Sequence, residues 1–463
     1  MPKKFIVFVA ASLCVCSFLI GARCGAEELS PAKIRQFAQP LLDGQATHAL
    51  SIGVLQDGKV TTVHVGDVDD AGNPPNDDTL YEIGSISKVF TGILLADAVN
   101  RGKVRLEDQV DKQLDFKLPS KFGYPIQWVH LSTHRSGLPR MPVNINHANA
   151  NDPYNEYDAA LGREFLGYCE LIGRPGGTYQ YSNLGVSLLG QWIADLQETT
   201  YEKLLQQRIA GPLKTKDLTI TLTESQKKRF AAPHRVYGVP GNPWNFAMPG
   251  AGGIRANIRD MMTFAAANLD CPDNDLGRAM QLAWKKHRDG GGGTPFAMGL
   301  GWHISRDGKT RWHNGQTGSY QSMMLINREL KCAVVVLSNT ASAPQVDQLG
   351  EQLIQLCAGA TIQPQTIQAP TQVSAEAMQR LVGKYALTPF VVFTVAIQDG
   401  NLMVEITNQA VQRVFPTSDT HWAYRGVDAS LDFKLPDDGG PASELILNQF
   451  GIQQNAKRVP EKK

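Results

Sequence analysis

Residues Tyr81-Glu82-Ile83-Gly84-Ser85-Ile86-Ser87-Lys88 (YEIGSISK) set a serine and a lysine three positions apart, where an apolar pattern of helical period begins. Val89, Phe90, Ile93, Leu94 and Val99 carry the period until Asn100-Arg101-Gly102 ends it. In a helix opened by Ser85, Lys88 lies on the same face as the Ser85 hydroxyl and can take its proton. The helix start adds unpaired N–H groups and the positive end of the dipole, which favour developing negative charge. A serine in this position is equipped to attack a carbonyl.

S-x-x-K by itself selects nothing, because it recurs at Ser30–Lys33 and Ser225–Lys228. Context separates them: Ser30 precedes Pro31 near the start of the chain, and Ser225 sits in a polar, basic stretch that reads as solvated surface. Further along, Tyr181-Ser182-Asn183 is the single Y-x-N of the chain and follows the turn residues Arg174-Pro175-Gly176-Gly177. A tyrosine beside a lysine can move protons if the cation lowers its pKa from about 10, and an asparagine amide can orient nucleophile and substrate. A helix is expected after Ser182, with Leu184, Leu188, Leu189, Trp192 and Ile193 on one face. His313-Asn314-Gly315 then precedes Gln316-Thr317-Gly318 and the strand-like Tyr320–Ile326. Gly315 would let a substrate backbone approach the strand edge, and the Gln316 N–H would complete an oxyanion hole with that of Ser85. His64-Val65-Gly66 also matches H-x-G but lies before the nucleophile and reads as chance.

Two β-branched runs in Leu50–Val65 flank Asp57-Gly58, a hairpin signal. Lys331–Leu337 (KCAVVVL) suits a buried strand. Strands at both ends of a region with helices between them indicate an α+β architecture.

Taken in order, the three polar elements resemble the penicillin-recognising serine hydrolases, the class C β-lactamase-like family that also holds D,D-carboxypeptidases, D-aminopeptidases and carboxylesterases. The resemblance extends to Val104–Val110 (VRLEDQV), Leu131–Pro139 (LSTHRSGLP), Tyr181–Gly190, Gly250–Phe264 and Gly299–Trp302 (GLGW), over roughly residues 30 to 358. It implies a β-lactamase/transpeptidase-like fold, an antiparallel sheet flanked by helices with a helical lobe, the site lying between the two. It also implies roles: Ser85 is the acylated nucleophile, Lys88 and Tyr181 form the proton-transfer pair, and Asn183 positions the substrate. His313 stands where many relatives carry the lysine of K-T-G. With a reference pKa near 6.5 it would make the cleft charge vary around neutral pH. Gln316 occupies a place where relatives often hold a small hydroxyl residue for the substrate carboxylate, so Thr317 or Arg311 would have to substitute.

The implied activity is that of an exported serine hydrolase acting on amide or ester bonds, foremost a D,D-carboxypeptidase or D-amino-acid peptidase. A carboxylesterase or β-lactamase of the same family is the alternative, and a slowly acylating penicillin-binding sensor is the alternative from another class. The expected partner is a small-molecule or peptide substrate related to peptidoglycan, with no nucleic acid. No cofactor or metal is expected. The chain contains no G-x-x-x-x-G-K-[ST], H-E-x-x-H or G-x-S-x-G, against P-loop, zincin and α/β-hydrolase chemistry. His130 and His134 have i, i+4 spacing without a third ligand and read as core or supporting residues. Gly290–Gly293 reads as a surface loop.

The chain has 463 residues with a formal charge of +1. Residues 1–26 read as a cleavable signal: Lys3 and Lys4, an apolar run Phe5–Ile20, then Cys24-Gly25-Ala26. That run is short against the roughly 20 residues a membrane span needs, so a secreted or periplasmic protein with no stable membrane span after cleavage is expected. Removal of Lys3, Lys4 and Arg23 leaves a charge of about −2, too little for a global polyanion-binding field. Cys169, Cys271, Cys332 and Cys357 remain, as disulfides or as buried thiols. The expected catalytic region is 27–358. The uncharged, Pro-containing segment 359–374 reads as a linker. Residues 375–455 read as a small barrel-like all-β domain, from runs such as VVFTVAI and LMVEI around Asp399-Gly400-Asn401 and ELIL after Asp437–Gly440.

Overall fold

The computed structural model describes residues 28–460, except 70, 147, 148, 150, 236–239, 292–294, 342, 343, 369, 399, 408, 410, 425, 426, 428 and 450. The expected signal segment therefore lies outside the described residues, as does part of the Gly290–Gly293 run. No helix among the described residues is long and apolar enough to cross a membrane.

Strands β1 (Ala49–Gln56) and β2 (Lys59–Gly66) form the hairpin expected at Asp57-Gly58. Both turn residues are left-handed, with φ of 49° and 85°, which matches the twist of the flanking strands. After the short strand β3 (Leu80–Glu82), the sheet continues through β5 (Ala297–Met298), β6 (His303–Ile304), β7 (Thr310–Gln316), β8 (Gln321–Asn327) and β9 (Cys332–Ser338). The seven strands are ordered β2-β1-β9-β8-β7-β6-β5, and every pair is antiparallel. The two-stranded pair formed by β3 and β4 (Arg255–Asn257) stands apart from it.

Both faces of this sheet are covered, which is why the central strands read as continuous apolar runs: all seven residues of β8 and of β9 are buried. One face packs against α1 (Pro31–Asp43) and the late helix Gln345–Cys357, through Ile34, Phe37, Val334, Val336, Leu349 and Leu353. The helix α1 was not expected. Ser30 caps it and Pro31 occupies its first turn, so the signature was present in the residues read only as a spare S-x-x-K.

The other face carries the larger core and the helical lobe. At its centre is α2 (Ser87–Asn100), buried on every side from Ser87 to Ala98 and without a solvent face there, its few polar residues such as Lys88, Thr91 and Asp97 included. It lies against α3 (Asn183–Asp195), whose N-cap Ser182 accepts from Gly185 N as the sequence suggested. The four cysteines are free thiols, with Cys332 and Cys357 buried.

Near the C-terminus, β10 (Gly383–Thr388), β11 (Val391–Gln398), β12 (Asn401–Ile406), β13 (Gln412–Arg413), β14 (Phe415–Pro416), β15 (His421–Ala423), β16 (Ala429–Lys434), β17 (Glu444–Gln449) and β18 (Ile452–Arg458) form a nine-stranded antiparallel sheet of order β13-β12-β11-β10-β18-β17-β16-β15-β14. Its two edge strands, β13 and β14, are separated in sequence by Val414 alone. A sheet whose opposite edges are one residue apart has to curl, which produces a near-barrel around Tyr385, Phe393, Phe415, Trp422, Leu431 and Phe433. The fold is α+β, with the antiparallel sheet, helical lobe and C-terminal all-β module that the sequence indicated.

Candidate active site

Ser85 does not open the long helix. It sits in a 3₁₀ turn, Gly84–Ile86, and α2 begins only at Ser87. The turn is held from several sides. Ile83 N donates to Ile254 O at 3.1 Å, Ser322 Oγ donates to Ile83 O at 2.9 Å, and Ser87 Oγ accepts from Ile254 N at 3.1 Å. Gly84 has φ of 49°, and a Cβ there would stand 2.7 Å from Gln316 N. The nucleophile turn is thus wedged directly against the end of β7, and only glycine permits that approach.

Within this frame the expected trio converges. Lys88 Nζ lies 2.9 Å from Ser85 Oγ and donates to Ala251 O at 2.7 Å. Tyr181 Oη donates to Ser85 Oγ at 2.8 Å. Lys88 is 1% exposed, while Ser85 and Tyr181 remain partly accessible. Burial, and after it the charge of Arg140, hold the Lys88 amine well below its usual range. Burial pushes the Tyr181 phenol up to about 12, against the opposing effect of its bond to Ser85. Both shifts favour the uncharged forms, a neutral amine and a protonated phenol.

Asn183 begins α3, and its Nδ2 donates to Tyr154 Oη at 3.0 Å. Tyr154 Oη in turn donates to Met141 Sδ at 2.7 Å. Tyr154 stacks on Phe246 at 4.7 Å and leans on Trp244 at 5.4 Å between ring centroids. This aromatic wall was missed: its members come from separate loops and carry no shared spacing. His130 and His134 do not share a helix, since that helix ends at Ser132 and His134 has φ of 56°. His134 Nδ1 accepts from Ser182 N at 3.1 Å and its ring lies 4.3 Å from that of Tyr181, so it supports the Tyr181–Asn183 segment.

On the opposite wall, His313 is 1% exposed and its ring lies 4.6 Å from that of His303. Its Nδ1 contacts the Asn314 carbonyl oxygen at 2.5 Å, and its Nε2 is buried without a partner among the described residues. Burial first, then the neighbouring His303 and Lys88, keep the imidazole well below 6.5. This runs against the expected variation of charge around neutral pH, because burial disfavours the charged imidazolium and neighbouring positive charge adds to the effect.

Gly315 also differs from expectation. A Cβ there would meet Ile83 O at 2.0 Å and Ser322 Oγ at 2.3 Å, so its missing side chain admits the nucleophile turn and not a substrate backbone. The direction of the Gln316 N–H follows from the β7–β8 ladder. Thr317 N donates to Tyr320 O at 3.0 Å, and in an antiparallel ladder the preceding N–H then points away from β8. That direction is toward Gly84 and Ser85. Neither proposed substitute for a carboxylate ligand is free. Thr317 is buried and its hydroxyl bonds Glu82, which burial pushes up to about 7. Arg311 donates to Trp284 O and Gly308 O and lies over the Trp284 ring. Among the described residues no three His, Cys, Asp or Glu side chains converge as metal ligands.

Comparison with known proteins is consistent with this geometry. The family model described as Beta-lactamase matches residues 34–358. A Beta-lactamase of Escherichia coli K12 is 27% identical over 303 residues, covering 63% of this chain and 75% of the relative. The D-alanyl-D-alanine-carboxypeptidase/endopeptidase AmpH of the same strain is 26% identical over 322 residues, covering 65% and 81%. Penicillin-binding protein 4* of Bacillus subtilis 168 is 24% identical over 422 residues, covering 83% and 89%. Among solved structures, a beta-lactamase/D-alanine carboxypeptidase from Yersinia pestis superimposes with a TM-score of 0.62 at 22% identity, over 71% of this chain and 98% of the other. That last likeness concerns the fold.

Proposed function

The chain belongs to the beta-lactamase family, and from that premise we propose that it is an exported serine hydrolase that cleaves amide or ester bonds through an acyl-enzyme, with D-amino-acid peptides as its main substrates. The observation that carries this reading is the triangle of Ser85, Lys88 and Tyr181, in which the serine oxygen lies 2.9 Å from the amine and 2.8 Å from the phenol.

The steps follow from the protonation states. Lys88 directs one N–H to Ala251 O, which leaves its lone pair for the Ser85 proton. Ser85 Oγ bonds to the substrate carbonyl carbon as that proton passes to Lys88 Nζ. The carbonyl oxygen becomes an oxyanion held by the Ser85 and Gln316 N–H groups. Collapse breaks the bond to the leaving group, which takes the Tyr181 phenol proton, and Lys88 restores that proton to Tyr181. Water then attacks the acyl-enzyme with Lys88 again as base, releasing the acid and free Ser85. Asn183, held by Tyr154, aligns the substrate amide.

A second reading, carboxylesterase, draws support from one observation: the β7 wall offers no available cation among its described residues, since His313 is neutral and Arg311 is committed. A substrate without a free carboxylate on that side suits it. Fluorescent penicillin tests the common mechanism, because covalent labelling should be stoichiometric and lost in Ser85→Ala. Equal labelling of the alanine variant would refute the nucleophile assignment. Turnover of D-Ala-D-Ala peptides, D-aminoacyl amides and nitrophenyl esters then separates peptidase from esterase, and absence of turnover on all three identifies a sensor.

A further inference from the structure

The cleft's cations are nearly all spent. Lys88 is sealed against Ser85 and Ala251 O, and His313 is neutral. Arg311 is tied to Trp284 O, and Arg135 donates to the carbonyls of Gly177, Asp289 and Gly290. Arg140 is different. It is exposed, and its guanidinium has no hydrogen bond or ion pair among the described residues.

Its main chain is nevertheless held. The Arg140 carbonyl accepts from Asn183 N at 3.0 Å and Leu184 N at 3.3 Å, at the start of α3. The preceding Pro139 carbonyl accepts from Ser182 Oγ at 2.7 Å. The guanidinium carbon stands 5.0 Å from the Tyr181 ring centroid, the same ring that Lys88 Nζ approaches at 4.9 Å. Its charge reaches Lys88, Tyr181, Tyr154 and Tyr179. A guanidinium carried on this main chain beside a nucleophile, with no acidic partner among the described residues, offers planar paired donors.

We propose that Arg140 is the anion-recognising residue of the cleft, taking a carboxylate carried by the substrate along the Tyr181–Asn183 wall, on the side of the scissile bond away from β7. This rests on the hydrolase reading above and narrows it: the favoured substrates carry a negative charge in the part that lies along Asn183. The aromatic wall of Tyr154, Trp244 and Phe246 next to it would shelter the aliphatic stem that bears the charge.

Two nitrophenyl esters of matched chain length test it, the hydrogen glutarate and the neutral pentanoate. Arg140→Gln should lower kcat/KM for the glutarate ester roughly tenfold or more beyond its effect on the pentanoate, as expected for loss of a charge-assisted bond. Arg140→Lys should recover part of the difference, and about 0.5 M salt should shrink it in the wild type. Equal losses on both esters would mean that Arg140 acts through Lys88 and Tyr181 and would overturn the proposal, as would no loss on either. Binding needs no turnover. The glutarate monoanilide should bind Ser85→Ala protein roughly tenfold more tightly than Ser85→Ala/Arg140→Gln protein, with the pentanoate anilide showing no such preference. Binding that fails to distinguish the two proteins refutes the Arg140 assignment. Selective binding by the Ser85→Ala protein, with neither ester hydrolysed by the wild type, refutes the hydrolase reading alone.

Discussion

Gly315 lies so close beneath Ile83 that a Cβ added to it would come within 2.0 Å of the Ile83 carbonyl oxygen. The contact joins the strand that supplies the Gln316 N–H to the turn that supplies Ser85, so the spacing of the two proposed oxyanion donors is set by a missing side chain. Gly315→Ala must push the strand and the turn apart. The expected result is a loss of kcat/KM on a chromogenic ester of about a hundredfold, the scale of a misplaced oxyanion donor. Overpacking should also cost about 1 to 3 kcal/mol of stability. Both are read by steady-state kinetics and thermal melting. An alanine variant with near wild-type kinetics would show that the turn and the strand can separate without harm.

Lys88 and His313 make opposite claims on the pH profile. A depressed Lys88 pKa means that the free amine is present above that pKa and lost below it, so kcat/KM should fall toward acid pH. His313 is held neutral and should contribute no inflection near 6.5. The acid limb should therefore keep its midpoint in His313→Asn, whatever happens to the absolute rate. An inflection near 7 belongs to Glu82 or Asp347, both of which burial pushes up to that range, and Glu82→Gln and Asp347→Asn tell which, since only the variant of the group responsible removes it. An acid limb that moves or disappears in His313→Asn would mean that the histidine titrates.

The residues legible in the sequence are those whose physics is local. Asp57-Gly58 announces its hairpin because the turn needs two left-handed residues, and Ser182 announces its helix because its hydroxyl caps it. Ser85, Lys88, Tyr181 and Asn183 were found through motif and resemblance, and the structure brings them together. Arg140 follows a recognised stretch by one residue yet went unnoticed, because its meaning lies in the lack of a hydrogen-bond or ion-pair partner among the described residues, which is a tertiary property. The neutrality of His313 was equally hidden, since burial by His303 and the lobe is tertiary. Gly315 was read as serving the substrate because a strand-edge glycine gives no hint of what fills its space. The curled sheet is legible as β structure from runs such as VVFTVAI, but its closure through Val414 is not.

Tyr154 is a positioning residue for Asn183, since its hydroxyl accepts from Asn183 Nδ2 at 3.0 Å. Removing the hydroxyl frees the amide to rotate without disturbing Ser85 or Lys88. Tyr154→Phe should raise KM for an amide substrate by about threefold to tenfold, the worth of one hydrogen bond, and lower kcat by less. Asn183→Ala should cost more. The double variant should resemble Asn183→Ala alone, because the hydroxyl acts only through the asparagine while the ring stays in place. Additive effects would assign Tyr154 a separate contact with the substrate.

Asp347, in the helix Gln345–Cys357, accepts from Asn314 Nδ2 at 2.6 Å and from Gln321 Nε2 at 2.7 Å. Burial nevertheless raises its carboxyl from 3.8 to about 7, outweighing the two amides. The folded protein thus holds this proton at pH values where the unfolded chain has released it. Stability from the protonated form is complete below pH about 4 and drains away as pH rises toward 7. Asp347→Asn removes the titration. The stability of the wild type relative to this variant should therefore fall between pH 4.5 and 7.5 by about 1 to 2 kcal/mol, the carboxyl retaining some solvent contact. Denaturant melts of both proteins across that range measure it, and the Glu82 contribution cancels because both carry it. A relative stability that rises with pH would mean that Asn314 and Gln321 hold Asp347 as the anion.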